Sequence, residues 1–367
     1  KLFIKRMALS EQVAAFKKST ARPVRDSARE DAIVERLSKG QSQKDTDALK
    51  LLYNTVFELS RSRQSMLLAE NNADGDGGIE KRITDAYNAR SEHFPDGAVI
   101  ACQGVEGAYS QLACDKMFSL PDVMYFNTWE GVFGAIEGGL CRYGMLPLEN
   151  SIAGSVNKIY DLMVKHNFCI VRSMRLKVDH SLLAKKGVRL SEVKEIFSHE
   201  HAINQCAGFL KELNGVKITV CENTAVAAQM VSESDRNDVA ALSSKSCAAL
   251  YNLDVLRESV QDNGNNYTRF ICISKNLEIY PGADRTSIMV VTAHKPGSLY
   301  RVMSKFNALG LNLLKIESRP IPDRDFEFSF YFDFEASVYS ENFVQMLSEL
   351  ENSVEEFRYL GTYSEVV

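Results

Sequence analysis

Residues 98–118 read AVIACQGVEGAYSQLACDKMF. AVIAC reads as a short buried strand, QGVEG as a turn, and AYSQLACDKMF as a helix. The alternation continues through VMYF, WEGVFGAIEGGL, YGMLPLE and a helix over 155–166. A second set covers EIFS, a helix over 202–213, VKITV, a helix over 224–233, and VAALS. Strands alternating with helices imply largely parallel sheets, here in two lobes with a cleft between them.

Upstream, residues 1 to about 92 read as nearly all helix. Leu49, Leu52, Tyr53 and Val56 recur at three- and four-residue spacing, as do Arg29, Ile33 and Leu37. Pro23 in ARPV stops one helix before Asp26, and NNADGDGG (71–78) is a turn or linker ahead of one more polar helix. The opening KLFIKRMALSEQVAAF reads as the middle of a helix, not as a signal peptide. Downstream, TSIMVVTAH is a strand, GSLYRVMSKFNALG a helix ended by Gly310, and LNLLKIESRP a strand. FEFSFYFDFE alternates Phe as a half-buried strand does, and a helix near 340–351 and FRYLGTY complete a β-α-β-β-α-β module. Helices on one face of that sheet leave its edges free to pair with a second copy.

A chain of 367 residues exceeds one ordinary core and predicts two or three domains. Hydrophobic residues at 45% and charged residues at 25% fit a soluble globular protein, and no apolar run approaches the roughly 20 residues that cross a bilayer. The net charge of -5 is spread along the chain, so neither nucleic acid nor a membrane is an expected partner. Eight cysteines stand singly in apolar contexts without a CxxC pair, and read as reduced core thiols of a cytoplasmic protein. His199 and His201 alone do not make a metal site.

In the helical part, polar groups intrude on an apolar stripe. Steps of four from Leu52 through Val56 reach Ser60 and Gln64 on the expected inward face. The preceding helix places Asp26, Arg29 and Glu30 on a face that also bears Ile33 and Leu37, and Arg6 and Lys17 add two cations on the opening helix. Such an interior would bind a small dianion; surface salt bridges and a helix-end Ser are the alternative. In the middle part, motifs fall at strand-to-loop junctions. GVEGAYS puts Gly104, Gly107 and Ser110 at a helix start whose free N–H groups can hold a carboxylate; a dinucleotide site is the rival reading, but the third glycine is missing. PLENSIAGS offers Glu149, Asn150, Ser151 and Ser155, each of which could equally be an N-cap. NYTRF sets Thr268 and Arg269 where a loop becomes a strand.

RPVRDSARE and YNTVFELSRSRQ resemble the all-helical chorismate mutase domain at the head of bifunctional chorismate mutase-prephenate dehydratases. The resemblance carries chorismate binding onto Arg6, Lys17, Asp26, Arg29, Glu30, Ser60 and Gln64, with Lys17 and Gln64 beside the ether oxygen of a pericyclic reaction that needs no nucleophile. The family also places an Arg about five turns earlier on the first helix, which there reaches into a partner subunit. Residues 98 to about 275 resemble prephenate dehydratase: GVEGAYS, PLENS, SHEHAINQC, NTAVAA and NYTRF occur in the family's order, with Val105 for a usual Pro and Glu200-His201 for Pro-Gln. This implies Thr268 as hydrogen-bond donor to the leaving hydroxyl, directly or through water, Arg269 binding substrate or orienting Thr268, Glu149, Asn150, Gln205 and Thr224 lining the same pocket with Ser151 beside them, and Ser110 at the helix-terminus anion site. KPGSLYRVMSKF and KIESRP resemble an ACT domain, which implies L-phenylalanine at Gly297, Ser298, Leu299, Glu317, Ser318 and Arg319, across a dimer interface.

The expected architecture is therefore multidomain α and α/β. Residues 1–92 form a helical mutase domain with a linker helix, 97–276 a two-lobed, periplasmic-binding-protein-like dehydratase domain, and 284–367 a ferredoxin-like ACT domain. The expected activity runs from chorismate through prephenate to phenylpyruvate under phenylalanine feedback, in a cytoplasmic homodimer or homotetramer without metal or organic cofactor. Two rivals are a dehydratase with a degenerate mutase domain and a non-catalytic amino-acid sensor.

Overall fold

The computed structural model describes residues 1–20, 26–69, 78–322, 324 and 327–366. The Pro23 break and the linker over 71–77 lie outside the described residues. Two units emerge, one of residues 1–82 with 341–354, the other of 83–340 with 355–367.

The first unit is helical: α1 (Leu2–Ser19), α2 (Ser27–Ser38), α3 (Gln43–Ala69) and the start of α4 (Gly78–Asn88). Asp26 caps α2, its carboxylate accepting from the Arg29 N–H at 3.1 Å. On α3 the row departs from the expected one at its start, where Leu52 is 57% exposed and Phe57 is buried, while Gln64 is buried as expected. The inward stripe runs one residue over, through Tyr53 and Phe57, because the neighbour that α3 covers is α1.

The second unit begins with β1 (Gly97–Gln103), α5 (Tyr109–Met117), β2 (Leu120–Phe126), α6 (Trp129–Glu137), β3 (Tyr143–Asn150), β4 (Gly154–Ser155), α7 (Asn157–His166) and β5 (Cys169–Lys177). The chain then crosses to a second lobe of β6 (Ser181–Ala184), β7 (Glu195–Ser198), α8 (Glu200–Gln205), α9 (Ala207–Glu212), β8 (Lys217–Val220), α10 (Thr224–Glu233), β9 (Val239–Ser243), α11 (Ser246–Leu250) and β10 (Asp254–Arg257). It returns as β11 (Tyr267–Ser274), which lies antiparallel between β5 and β3. Both sheets are therefore mixed rather than largely parallel: β1 pairs parallel with β2 and β3, and β7 with β8 and β9, while β11 in the first sheet and β6 in the second run against them. The reason is the double crossing, since a chain returning from the far lobe enters from the opposite end. The helix expected over 202–213 is two short ones meeting at Cys206, whose φ of -113° and ψ of 22° leave the helical region.

The two crossings form a hinge. Val178 N–H donates to the Asn266 carbonyl at 2.8 Å and Val260 N–H to the His180 carbonyl at 2.9 Å. Apolar clusters fill both lobes, one around Phe133, Leu146 and Ile271, another around Leu183, Ala228 and Ala241.

A third sheet follows: β12 (Arg285–Val291), α12 (Ser298–Ala308), β13 (Asn312–Pro320), β14 (Phe328–Glu335), and, after α13 (Glu341–Glu351), β15 (Glu356–Tyr363). Its strand order is β13-β14-β12-β15. A last strand, β16 (Glu365–Val366), was not expected; it joins the first lobe's sheet by pairing parallel to β5. Two expectations need correction. The β15 edge is not free, because Gly361, at φ +136°, lies so close to β5 that a Cβ there would sit 2.2 Å from the Ile170 oxygen. Nor is β14 half-buried. Phe332 and Phe334 pack on Phe306 of α12, while Tyr331 and Asp333 on the other face are covered by the first lobe, Tyr331 meeting Tyr160 at 4.7 Å between centroids.

Candidate active sites

In the helical unit, Arg6, Ser10, Ser60 and Gln64 converge. Ser10 and Ser60 share a hydrogen bond of 2.6 Å, and Gln64 Nε2 donates to the Ser60 carbonyl at 3.1 Å and to its hydroxyl at 3.2 Å. Among the described residues, Gln64 Oε1 and Arg6 Nε are buried without a hydrogen-bond partner, and the Arg6 guanidinium stands 5.5 Å from the Phe57 ring centroid. These two atoms are free to bond a polar ligand. Lys17 sits in the combined field of Asp26, Arg29, Glu30 and Arg61, and burial lowers its pKa below the ordinary lysine value, the two acids opposing that shift. Two expected binders are otherwise engaged. Asp26 is an N-cap, and Glu30 holds both Arg61 contacts at 2.5 Å, so Arg61 is a cation the sequence reading missed. Arg29 is exposed.

In the two-lobed domain, β3 and β11 run side by side, with Thr268 opposite Asn150 and Arg269 opposite Glu149. Successive strand residues face opposite ways, so the two pairs separate. On one side, Asn150 Nδ2 donates to Thr268 Oγ1 at 3.0 Å, to Asn266 Oδ1 at 2.7 Å and to the Tyr267 carbonyl at 3.2 Å. Asn150 Oδ1 accepts from the N–H groups of Ile152 and Ala153, which fixes the amide's orientation. Asn266, fully buried, donates onward to Gln205 Oε1 at 2.9 Å, and the same oxygen meets His180 Nε2 at 3.1 Å. Burial pulls the His180 pKa below the ordinary value, partly offset by Gln205, so the imidazole is held neutral. Tyr109, one residue before Ser110, packs edge-on to that ring. The polar chain thus spans both lobes across the hinge and ends on the Thr268 hydroxyl. Because Thr268 accepts from Asn150, its own hydrogen is left to donate elsewhere.

The opposite face holds the other half of the expected set. Arg269 is 7% exposed; its Nη1 donates to Asp333 at 2.6 Å and to Glu149 at 3.2 Å, and its Nη2 to the Tyr363 hydroxyl at 2.6 Å. Glu149 also receives Lys315. Neither Arg269 nor Glu149 shares the Thr268 face of these strands, because strand alternation turns both toward the third sheet. Ser151 is likewise structural: its N–H and hydroxyl bond the Tyr267 and Asn265 carbonyls and its oxygen accepts the Tyr267 N–H. Thr224 opens α10 behind the cap Asn223, and the GVEG turn reaches that region, since a Cβ on Gly104 would lie 3.9 Å from Asn223 Nδ2. His199 and His201 rings lie 5.1 Å apart, and among the described residues no group of three or more metal-ligating side chains occurs.

Asn266, His180 and Tyr109 escaped the sequence reading, although Asn266 and Tyr109 lie inside quoted motifs and His180 follows the strand that leads to the crossing. A pocket of about 250 Å³ at the hinge, lined by Tyr109, Lys177, Asp179 and Lys245 among others, does not contain Thr268. Lys177 there is paired with Asp179 and Lys245 with Glu258, so neither of those cations is unspent.

In the third sheet, Gly297 adopts φ +80° ahead of α12, and Ser298 is buried and accepts from Arg301 Nη2. Glu317 and Arg319 were expected to meet a ligand, but strand alternation aims them at the first lobe: Ser155 Oγ donates to Glu317 at 2.5 Å, and Arg319 holds Asp161. Ser318, on the other face, stays exposed, and Leu299 is half-buried.

A two-lobed α/β domain with an uncharged polar site at its hinge, preceded by a helical unit with unpaired buried polar groups, defines a two-part small-molecule enzyme. Residues 100–278 match the family model for prephenate dehydratase, and residues 1–65 that for chorismate mutase type II. An arogenate dehydratase/prephenate dehydratase of Arabidopsis thaliana is 37% identical over 72% of this chain and 71% of its own. A bifunctional chorismate mutase/prephenate dehydratase of Enterobacter agglomerans is 30% identical over 99% of this chain and 91% of its own. Among solved structures, one described as a quorum quenching acylase, GqqA, is 31% identical with a TM-score of 0.67, covering 73% of this chain and 98% of that one. A prephenate dehydratase from Arthrobacter aurescens in complex with L-Phe is 27% identical with a TM-score of 0.67, covering 72% and 89%. The chain belongs to the prephenate dehydratase family, in its bifunctional form with a chorismate mutase domain. Among the described residues no helix is long and apolar enough to cross a membrane.

Proposed function

We propose that the Asn150–Thr268 pair is where prephenate loses carbon dioxide and its ring hydroxyl to give phenylpyruvate, and that the Gln64–Ser60–Arg6 cluster with Lys17 is where chorismate rearranges. The observation that carries the first assignment is the 3.0 Å bond that makes Thr268 an acceptor from Asn150 and so leaves its hydrogen for a substrate. Decarboxylation sends an electron pair into the ring, the ring becomes aromatic, and the C–O bond breaks with the pair leaving on oxygen. The departing hydroxide needs a hydrogen bond that strengthens as its charge grows, and takes up a proton to leave as water. Thr268 supplies that bond without ionising, since a free hydroxyl is far too weak an acid. With Arg269 turned away, the substrate carboxylates fall to the start of α5 near Ser110 and the start of α10 near Thr224, whose N–H groups and dipoles favour anions. The fused mutase makes prephenate, which favours prephenate over arogenate as the substrate. No step calls for a metal or organic cofactor.

The β-α-β-β-α-β module of residues 284–367 has the strand order of a ferredoxin-like unit and is proposed as an ACT domain. Its domain neighbours are then 1–92 and 97–276. Phenylalanine is proposed to bind between the α12 start (Gly297, Ser298, Leu299) and the backbone near Ser318 of a second copy. The β13 edge, with Leu314 and Ile316 exposed, suits pairing in a homo-oligomer. The test is Thr268→Ala assayed with prephenate: phenylpyruvate formation should fall by about 10² or more while prephenate formation from chorismate is unchanged. Near wild-type phenylpyruvate formation would remove Thr268 from the mechanism.

A further inference from the structure

One buried and one part-buried ionic contact tie the third sheet to the two strands that carry Asn150 and Thr268. Arg269 reaches Asp333 of β14 at 2.6 Å and Tyr363 of β15 at 2.6 Å, and Ser287 of β12 bonds both of those partners at 2.6 Å. Glu149 receives Lys315 of β13, which also donates to Ser155 at 2.9 Å. Arg269 and Glu149 are the backbone neighbours of Thr268 and Asn150, and they face each other across the same pair of strands. A shift of either ion pair along the strand therefore moves the next residue, whose side chain is on the catalytic side.

Burying these charges costs desolvation, and well-packed apolar residues in such places are often neutral or stabilising, so their presence here points to position rather than adhesion. Ionisation supports this. Burial opposes charge on both Glu149 and Arg269, yet Lys315 pulls the Glu149 pKa below the usual carboxylate value, and Tyr363 and Asp333 hold Arg269 protonated.

We infer that Lys315 and Asp333 are positioning residues for the dehydratase step: they hold Glu149 and Arg269 so that Asn150 and Thr268 stay within hydrogen-bond distance in the register that the substrate requires. The third sheet is thus a structural part of the dehydratase site, and β13 is the one strand that carries both Lys315 and the Glu317–Arg319 segment. This rests on the assignment of Asn150 and Thr268 as the dehydratase site.

The experiment uses the full chain and compares Lys315→Met, Lys315→Arg, Asp333→Asn and Thr268→Ala. Lys315→Met and Asp333→Asn should each lower kcat for phenylpyruvate by about tenfold or more, with KM within about twofold and chorismate mutase turnover unchanged, because a misplacement of about 1 Å is enough. Lys315→Arg should restore most of the rate, as no purely space-filling role would require. Lys315 lies on an edge strand, so its variant keeps the test open should the buried Asp333→Asn change compromise folding. If Lys315→Met retains wild-type kcat while Thr268→Ala loses it, this inference falls and the site stands. If Thr268→Ala also retains it, the site assignment itself falls.

Discussion

Asn150→Asp is the sharpest perturbation of the proposed dehydratase site, because it exchanges one NH2 for one oxygen and leaves the shape alone. Both N–H bonds that fix the loop, from Ile152 and Ala153 to Oδ1, survive the change. What is lost is the donor. A carboxylate oxygen would lie 2.7 Å from Asn266 Oδ1 and 3.0 Å from Thr268 Oγ1, both of which now accept from Asn150. Asn266 can turn over, and Gln205 after it, at about 1 kcal/mol per bond remade less well. Thr268 has no such escape. Its single hydrogen must turn to the new carboxylate, and the leaving hydroxyl loses its donor, an effect of about 10²–10³ in rate where one stabilising hydrogen bond is removed. The new charge also opposes a dianionic substrate, by about 3 kcal/mol for one carboxylate at roughly 6 Å and an effective dielectric constant near 20. Phenylpyruvate formation from prephenate should therefore fall by at least about 10² in kcat with KM raised as well, while mutase turnover stays close to wild type. A variant whose kcat lies within threefold of wild type would refute the donor orientation on which the mechanism depends.

Two further outcomes follow from the rest of the molecule. Burial lowers the Lys17 pKa, and the cation is the form that meets an anionic substrate, so mutase kcat/KM should decline as pH rises, along a limb centred below the ordinary lysine value of 10.5; a Lys17→Gln variant that keeps the same limb would reassign it. Gly361→Ala forces a side chain into a φ of +136° and against the Ile170 oxygen, and should cost about 3 kcal/mol or more in chemical denaturation monitored by tyrosine fluorescence, an unshifted transition showing that β15 does not need this approach to β5.

The order of strands and helices was legible from apolar periodicity, whereas Asn150, Gln205 and Thr268 were grouped only by the family resemblance; they come from three motifs far apart in the chain and meet within one hydrogen-bonded run. The error lay in treating PLENS and NYTRF as blocks. Once YGMLPLEN and YTRFICIS are strands, side chains at consecutive positions face opposite ways, so Glu149 and Asn150, or Thr268 and Arg269, cannot share a pocket. That separation was available from the sequence alone. What covers the second face was not, because both faces of a mixed sheet read as apolar, and only the fold shows that the Phe-rich strand's Asp333 lies against Arg269. The lone Asp in FSFYFDFE keeps the Phe alternation, sharing its phase with Ser329, Tyr331 and Glu335, yet that face is buried at Tyr331 and Asp333. A buried carboxylate in such a strand needs a cation, and the one it finds is the Arg that the motif had assigned to the substrate. The same side chain that would have been a weak binder in a solvated cleft is, on the dry side of the strand, the tie between the third sheet and the hydroxyl proposed to do the chemistry.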